Sequence, residues 1–468
     1  MKKQLISVAA LATILLAASC KKKDQPGGGD KPADSTEIVQ LSGELSSQTL
    51  SKDKKYMLVG QVFVRDGQTL TIEPGTVILG EKKSKGTLVI DRGGKLMANG
   101  TASEPIVFTS NQEVGDRDRG DWGGLVILGK AKVNIPNPSI EGIEPAVVYG
   151  GNDDGDNSGS LQYVRVEFAG IELTPNNETN GITLGGVGSG TKFENIQVSY
   201  GGDDGIEWFG GAVNGKYLVV FGTWDDCFDI DNGFSGNLQF GLSVRYPSYA
   251  DQSDSNGFEW DTNGTNEATD RPTTATVSNF TILGPSLDGN SYSGNYKYGM
   301  DLRRRVAANL FNSVVVGFPT AVRMNQNTVL PNYQNGDAQV ANNIFYAKTN
   351  KTVSGNGDFT ADDILNYLTA NENIVEAGSD FQVTAAYTAL GLNTSQFFGK
   401  TINTKYPAHP NFAVTGGTLA SGAKFTYAAF SQANRSAHFD KTVAFRGAFG
   451  SQDWTQGWTN FDPINVKY

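Results

Sequence analysis

A short motif recurs along the middle of the chain, and this recurrence limits the fold more than any other feature. DDGIEWFGG at 203–211 is followed after 22 residues by DDCFDIDNG at 225–233, and about 30 residues later by SNGFEWDTNG at 255–264. Three further segments fit the same frame, namely NGITLGG at 180–186, YGMDLRRR at 298–305 and TAVRMNQN at 320–327. Repeats of this length, with insertions absorbed by turns, are typical of solenoids whose strands stack on one another.

Short segments of alternating polarity surround these repeats. QVFVR at 61–65, TLTIE at 69–73 and TVIL at 76–79 alternate polar and apolar positions, and Gly, Asn and Asp separate such segments. Alternation with a period of two predicts strands that have one buried face. We therefore expect an all-β protein, a parallel β-helix that covers residues 41–345.

Alignment of the repeats predicts which side chains stack. One apolar position of each coil forms an inward column of Ile182, Ile206, Phe228, Phe258, Met300 and Val322. The next position points outward and forms a column of Thr183, Glu207, Asp229, Glu259, Asp301 and Arg323. Two positions further on lies a second outward column of Gly185, Phe209, Asp231, Asp261, Arg303 and Asn325. Adjacent coils are expected about 4.8 Å apart.

The two outward columns bring together six carboxylates, which we call the acidic strip: Glu207, Asp229, Asp231, Glu259, Asp261 and Asp301. Two carboxylates about 4.8 Å apart repel by roughly 3.5 kcal/mol at an effective dielectric constant of about 20. Solvent, the neighbouring arginines or a cation must therefore offset the repulsion. The Asp203/Asp225 and Asp204/Asp226 pairs either add carboxylates at the adjoining turn or serve there as ordinary turn residues.

Three interpretations of the acidic strip follow. It is a solvated face with salt bridges to Arg303 and Arg323, or a calcium site, or a polysaccharide active site. The predicted Ca²⁺ ligands are Asp229, Asp231, Glu259 and Asp261, because Ca²⁺ prefers hard oxygen ligands. The candidate catalytic residues are Glu207, Asp229, Glu259, Asp301, Arg303 and Arg323.

The N-terminal segment has the features of an export signal. Lys2 and Lys3 precede an apolar stretch at 5–18, and the segment ends in Ala17-Ala18-Ser19-Cys20. This ending is similar to the lipobox of bacterial lipoproteins, in which the cysteine is acylated and becomes the new N-terminus. We predict a signal peptide at 1–19, lipidation of Cys20 with the membrane as the partner of the lipid, and a flexible tether at 20–40.

Charge and the scarcity of cysteine and histidine exclude several classes of function. The formal net charge of −11 excludes a basic surface for nucleic acid. Once Cys20 is lipidated, Cys227 is the only other cysteine, so no intramolecular disulfide is expected. The two histidines, His409 and His438, lack the companions of a zinc site or a catalytic triad.

The pattern changes after about residue 345. TADDILNYL at 360–368 starts with a capping threonine and places apolar residues at helical spacing, which predicts a short helix. We expect residues 346–468 to form the last coils and a C-terminal cap, because an open coil would present unpaired strand edges. Trp454, Trp458 and Phe461 are predicted to pack within that cap.

Several segments resemble a known family. DGQTLTIEPGTVILG at 66–80, GTLVIDRGGKLMANGTASEPIVFTS at 86–110, GDWGGLVILGKAKVN at 120–134 and FRGAFGSQDWTQGWTNF at 445–461 are similar to the pectate-lyase-like β-helix lipoproteins of Bacteroidota and related bacteria. The resemblance covers about residues 57–468. It implies a right-handed parallel β-helix on a lipid anchor in the outer membrane, facing the cell surface. In pectate-lyase-type chemistry, Ca²⁺ acidifies a sugar proton and an arginine acts as the base.

Two classes of function remain open. The first is a surface-exposed binding or adhesion module with a glycan as its ligand. The alternative is a carbohydrate-active enzyme, either a Ca²⁺-dependent polysaccharide lyase or a glycoside hydrolase. An aromatic-lined groove beside the carboxylates would favour an enzyme, whereas a flat acidic face would favour binding.

Overall fold

The computed structural model describes residues 37–468, except 175–176, 287, 290, 379 and 394–408. The predicted signal peptide, Cys20 and most of the predicted tether lie outside the described residues. None of the described helices is long and apolar enough to cross a bilayer.

The described chain winds into coils whose strands pair in parallel to form three sheets. Five long strands bend from the first sheet into the second: Gly159–Glu167, Lys192–Ser199, Asn214–Phe221, Asn237–Val244 and Thr276–Leu283. The first sheet also contains Gln48–Leu50, Thr69–Ile72, Lys95–Asn99, Asn309–Phe311 and Val340–Ala341. The second sheet also contains Val77–Gly80, Ile106–Ser110, Val314–Val316, Ile344–Ala347 and Ile374–Ala377.

The third sheet carries the predicted columns. Its strands are Thr87–Ile90, Leu125–Leu128, Ile182–Gly185, Ile206–Phe209, Phe228–Asp231, Phe258–Trp260, Tyr298–Leu302, Thr320–Met324 and Asn350–Ser354. Two strands near the start of the described chain, Ile38–Leu45 and Lys55–Val64, each bridge the second and third sheets. An antiparallel pair, Glu172–Thr174 with Asn177–Glu178, lies outside the coils.

The predicted register is confirmed. Ile182, Ile206, Phe228, Phe258, Met300 and Val322 pair in succession and are all buried. Thr183, Glu207, Asp229, Glu259, Asp301 and Arg323 form the adjoining ladder. The second outward column follows the same order, with Gly185, Phe209 and Asp231 paired across the sheet. The fold is therefore the predicted right-handed parallel β-helix.

The predicted short helix is also confirmed, as Ala361–Ala370. Thr360 accepts a hydrogen bond from the backbone N–H of Asp363, and the Asp363 side chain accepts one from the Thr360 backbone in return. Ile364 and Leu368 are fully buried and join the interior core, so this helix packs over the last coil. The other helices are Val329–Gln334, Val383–Leu390 and Ala433–Ser436, with 3₁₀ turns at Thr418–Ala420, Ala428–Ser431 and Pro463–Asn465.

The end of the chain differs from the predicted cap. Instead of covering the open coil, it runs back along the outside of the solenoid. The Gly422 carbonyl accepts a hydrogen bond from Asn342, the Asn460 carbonyl accepts one from Gln197, and the Tyr468 carbonyl accepts one from Lys55. The cause lies in the second sheet, whose strands are apolar on both faces and need an outer cover.

Trp458 and Phe461 supply part of that cover. Both are fully buried, and the Phe461 ring lies 5.2 Å from that of Phe221. Their predicted packing role is confirmed, although the packing is against the side of the solenoid. At the other end, strand pairing starts at Ile38, so the last residues of the predicted tether at 20–40 already form a strand.

Candidate functional site

A pocket of about 430 Å³ opens on the outer face of the third sheet. We call it the site pocket, and six of its lining residues matter here: Tyr149, Asn180, Asp203, Glu207, Phe209 and Asn232. The strand Ile206–Phe209 forms its floor. Ile206 and Trp208 of this strand point into the core and are fully buried, so alternation turns Glu207 and Phe209 outward into the pocket.

A long connection between two coils forms one wall of the pocket. It runs from 129 to 158 and contributes Tyr149, whose ring centre lies 6.2 Å from that of Phe209. Asn232 donates a hydrogen bond of 3.3 Å to the Tyr149 hydroxyl. Asn134, on the same connection, donates hydrogen bonds to the carbonyls of Thr262 and Arg271, which join it to a second connection. These bonds hold the aromatic wall against the sheet.

Asn180 has an unusual role at the edge of the sheet. Three residues at the same position of later coils form a side-chain ladder, in which each side chain accepts the backbone N–H of the next coil: Asp204 to Asp226, Asp226 to Asn256, and Asn256 to Tyr298. Asn180 occupies the preceding coil of this ladder but turns toward the pocket, where it donates to Glu207 Oε2 at 2.5 Å and to Thr183 at 3.2 Å. Its Oδ1 is buried and has no hydrogen-bond partner.

Five carboxylates gather at the pocket and behind it, and we call them the site cluster: Asp203, Asp204, Glu207, Asp225 and Asp229. Oxygens of Asp203, Asp204 and Asp225 lie within 4.8 Å of one another, and so do oxygens of Asp204, Glu207 and Asp229. The oxygens of Glu207 and Asp229 therefore lie close enough for the two carboxylates to repel each other when both are ionised.

Burial dominates the electrostatics of the site cluster. It raises the pKa of Glu207 well above its usual range, and the charges of Asp203 and Asp231 act in the same direction. The pKa of Asp229 is raised by burial and then by the charge of Glu207. Burial likewise raises the pKa of Asp225 to about 6. Carboxyl groups with raised pKa values beside a cleft are typical of functional sites.

The far half of the acidic strip is neutralised by arginine. Arg303 forms an ion pair with Glu259 and lies 3.5 Å from Asp261. Arg304 also pairs with Asp261, at 2.5 Å. The structure therefore divides the strip in two. The site cluster lies next to the pocket, and an ion-paired half extends beyond it.

Asp301 and Arg323, two of the candidate catalytic residues, lie at the end of this ion-paired half. The Asp301 side chain is fully buried, and both of its oxygens accept hydrogen bonds from Arg323. Of the six candidates, only Glu207 lines the site pocket, and Asp229 stands directly behind it.

The four predicted calcium ligands are placed differently from one another. Asp229 belongs to the site cluster, whereas Glu259 and Asp261 face arginines. Asp231 is partly exposed and accepts a hydrogen bond from the backbone of Asn232. Within the described ranges, no group of three or more closely spaced carboxylates unites these four residues. The calcium site remains a prediction.

Sequence reasoning missed Tyr149 and Asn180. Tyr149 lies on a connection without periodicity, so no pattern indicated that it would meet the sheet. Asn180 had a usable signal, because NGITLGG at 180–186 aligns it with Asp204 and Asp226. That alignment predicts its place in the edge ladder, although not its turn toward Glu207.

Cys227 is a free, fully buried thiol, and burial raises its pKa. Its sulfur lies 2.7 Å from the Ser243 hydroxyl and 3.1 Å from Arg245. This buried environment does not favour a reactive thiol.

Fold and site together define a class of protein: a parallel β-helix with a lateral, carboxylate-lined pocket. A family model described as the pectate-lyase like β-helix domain matches residues 43–390. The chain belongs to that family. No curated protein and no solved structure matches the chain.

Proposed function

We propose that this protein binds a glycan in the site pocket. The observation that carries the proposal is the pairing of two aromatic rings, Tyr149 and Phe209, with the polar groups of Asn180 and Glu207 in one cavity of about 430 Å³. Sugar rings offer apolar faces to aromatic side chains and hydroxyl groups to amides and carboxylates. The family match supports a carbohydrate-related function in general terms.

The experiment is a glycan array probed with the full-length protein in detergent. We expect a defined set of glycans to bind, and Phe209→Ala to reduce that binding at least about tenfold. Phe425→Ala is the matched control, because Phe425 is also partly buried but packs on Phe430 in the returning C-terminal segment. Absence of binding to every glycan, or equal losses in both variants, would contradict the proposal.

Hydrolysis of the bound glycan is the second candidate function, and the aromatic wall beside the Glu207 carboxyl is the arrangement expected of an enzyme. The specific observation in its favour is the burial of the Glu207 carboxyl beside the pocket, which raises its pKa well above the usual range, because a carboxyl that holds its proton is able to act as a general acid. The lyase alternative has less support. Arg303 and Arg323 are held in ion pairs, and among the described residues no arginine or lysine lines the site pocket.

Hydrolysis is tested on the glycans that bind. If the protein is a hydrolase, Glu207→Gln abolishes the release of reducing ends even at glycan concentrations that saturate the variant. Unchanged release in that variant would remove Glu207 from the role of general acid, and absence of release from the wild-type protein would leave binding as the function.

We further propose, from the sequence alone, that the protein is anchored in the outer membrane through a lipid on Cys20 and faces the cell surface. Cells grown with an alkyne-labelled palmitate should incorporate label into the wild-type protein but not into Cys20→Ala. Cys227→Ala is the matched control and should still be labelled, since Cys227 is buried. Exposure at the surface is measured by protease treatment of intact cells. Labelled and membrane-bound Cys20→Ala would contradict the anchor.

A further inference from the structure

The charged groups around the site pocket all have the same sign. Glu178, Asp203 and Glu207 line it, and no lysine or arginine is among the described residues that line it. The arginines of the neighbouring coils are turned to Glu259, Asp261 and Asp301. Burial and the neighbouring carboxylates raise the pKa values of Asp203 and Glu207. A positive charge on a ligand would favour the ionised forms of both groups, whereas a second carboxylate would be repelled.

A second, independent feature points to a ligand that donates hydrogen bonds. Asn180 is 5% exposed, yet its Oδ1 has no hydrogen-bond partner. The equivalent oxygens of Asp204 and Asp226 each accept a backbone N–H from the next coil. A buried acceptor without a donor is costly, so a ligand N–H or O–H at this position would be strongly favoured.

Size and wall chemistry distinguish between the possible cations. A bare metal ion would leave most of a 430 Å³ cavity empty and would make no use of the Tyr149 and Phe209 rings. An ammonium group on a sugar ring would use every feature at once. The ring packs on the aromatic wall, the cation meets the ring faces and the carboxylates, and its N–H groups meet the acceptors.

From these features we infer that the ligand is a glycan with free amino groups, a hexosamine oligomer, whose ammonium group lies between Glu207, Asp203 and the Tyr149–Phe209 wall. The inference rests on the proposed glycan binding and adds the chemical class of the ligand. It excludes uronic acid polymers, whose carboxylates would add to the negative charge. Removal of the positive charge by N-acetylation of the same oligomer should weaken binding.

The experiment compares three oligosaccharides of equal length by calorimetry with the full-length protein: a glucosamine oligomer, its fully N-acetylated form and a galacturonate oligomer. Measurements at pH 6 with chelator present keep the amines protonated and exclude a metal bridge. We expect the glucosamine oligomer to bind at least about tenfold more tightly than the acetylated one, and the galacturonate oligomer not to bind. Glu207→Gln and Asp203→Asn should each remove most of the preference.

Glu376→Gln is the control for non-specific attraction of a cationic oligomer to an acidic protein. It removes the same charge at an exposed position that pairs with Lys351, outside the pocket, and should leave the preference unchanged. Equal loss in Glu376→Gln and Glu207→Gln, or tighter binding of the acetylated or galacturonate oligomer, would overturn the inference. If the acetylated oligomer binds and Phe209→Ala abolishes that binding, the proposed glycan binding stands without the amino group. If no oligosaccharide binds on this panel or on the array, both proposals fail.

Discussion

Arg323 holds the fully buried carboxylate of Asp301 with two hydrogen bonds, of 2.8 and 2.5 Å, across two adjacent coils of the third sheet. Arg323 also lies over the Tyr298 ring at 4.1 Å and donates to its hydroxyl at 3.0 Å. Among the described residues, Arg323 is the only one that forms an ion pair with Asp301, and a carboxylate at this depth depends on that partner. The pair therefore links two adjacent coils of the solenoid.

Loss of Arg323 is the first prediction. Arg323→Met leaves the Asp301 charge buried and unpaired, and we expect the free energy of unfolding in urea to fall by about 3–5 kcal/mol. The double variant Asp301→Asn/Arg323→Met should recover much of that loss, because no charge is left behind. Single and double variants with the same stability would show that the Asp301 charge is not what destabilises the protein.

The second prediction concerns the core. Phe228 is fully buried and packs on Phe258 and Phe280, with ring centres 6.0 and 5.1 Å away. Phe228→Ala should lower the free energy of unfolding by about 3–5 kcal/mol. Its neighbour Asp229 points to the other side and is repelled by Glu207, so Asp229→Asn should cost far less or stabilise the protein. Urea unfolding curves with the opposite order would contradict the coil register.

The part of the fold that could be predicted from the sequence is the part with periodicity. Ile206 and Glu207 lie next to each other in the chain and on opposite faces of a strand, and the recurring motif assigned both faces correctly. The burial of the acidic strip could not be predicted in this way. It depends on the connection at 129–158, which packs through single residues such as Tyr149. The path of the returning C-terminal segment could not be predicted for the same reason, since its contacts with Asn342 and Lys55 follow no repeat.

The site cluster shows a second limit of sequence reasoning. The sequence leaves open whether Asp204 and Asp226 are turn residues or extra carboxylates. Both accept a backbone N–H from the next coil, and Asp204 also belongs to the site cluster. Which arginine meets which carboxylate was open, because Arg303 and Arg304 are neighbours in the chain and side-chain direction at a turn is not periodic. Arg303 reaches Glu259, and this contact separates the ion-paired half of the strip from the site cluster.

The third prediction is a pH dependence of stability. Burial raises the pKa of Asp225 from an ordinary value near 3.8 to about 6 in the folded protein. Between these values the folded state holds a proton that the unfolded state has lost, so the contribution of Asp225 to stability falls as pH rises through this window and is constant above it. Relative to wild type, Asp225→Asn should therefore gain up to about 3 kcal/mol between pH 4 and 7. Urea unfolding at a series of pH values measures the difference, and a gain in the opposite direction would contradict the burial of this carboxylate.

Calcium is the subject of the last prediction. Asp229, Asp231, Glu259 and Asp261 are the predicted ligands, but Glu259 and Asp261 already have arginine partners, so an ion would have to displace Arg303 or Arg304 to use them. We therefore expect bound Ca²⁺ to depend mainly on the half of the strip that arginine does not neutralise. Calcium at 100 times its dissociation constant should stabilise the folded state by about 2.7 kcal/mol, seen as a higher melting temperature that a chelator reverses. Asp229→Asn should abolish this shift and Glu259→Gln should leave most of it. If calorimetric titration with Ca²⁺ gives no heat, with or without an acidic oligosaccharide, and chelator leaves the melting temperature unchanged, the strip holds no calcium and the lyase alternative falls with it.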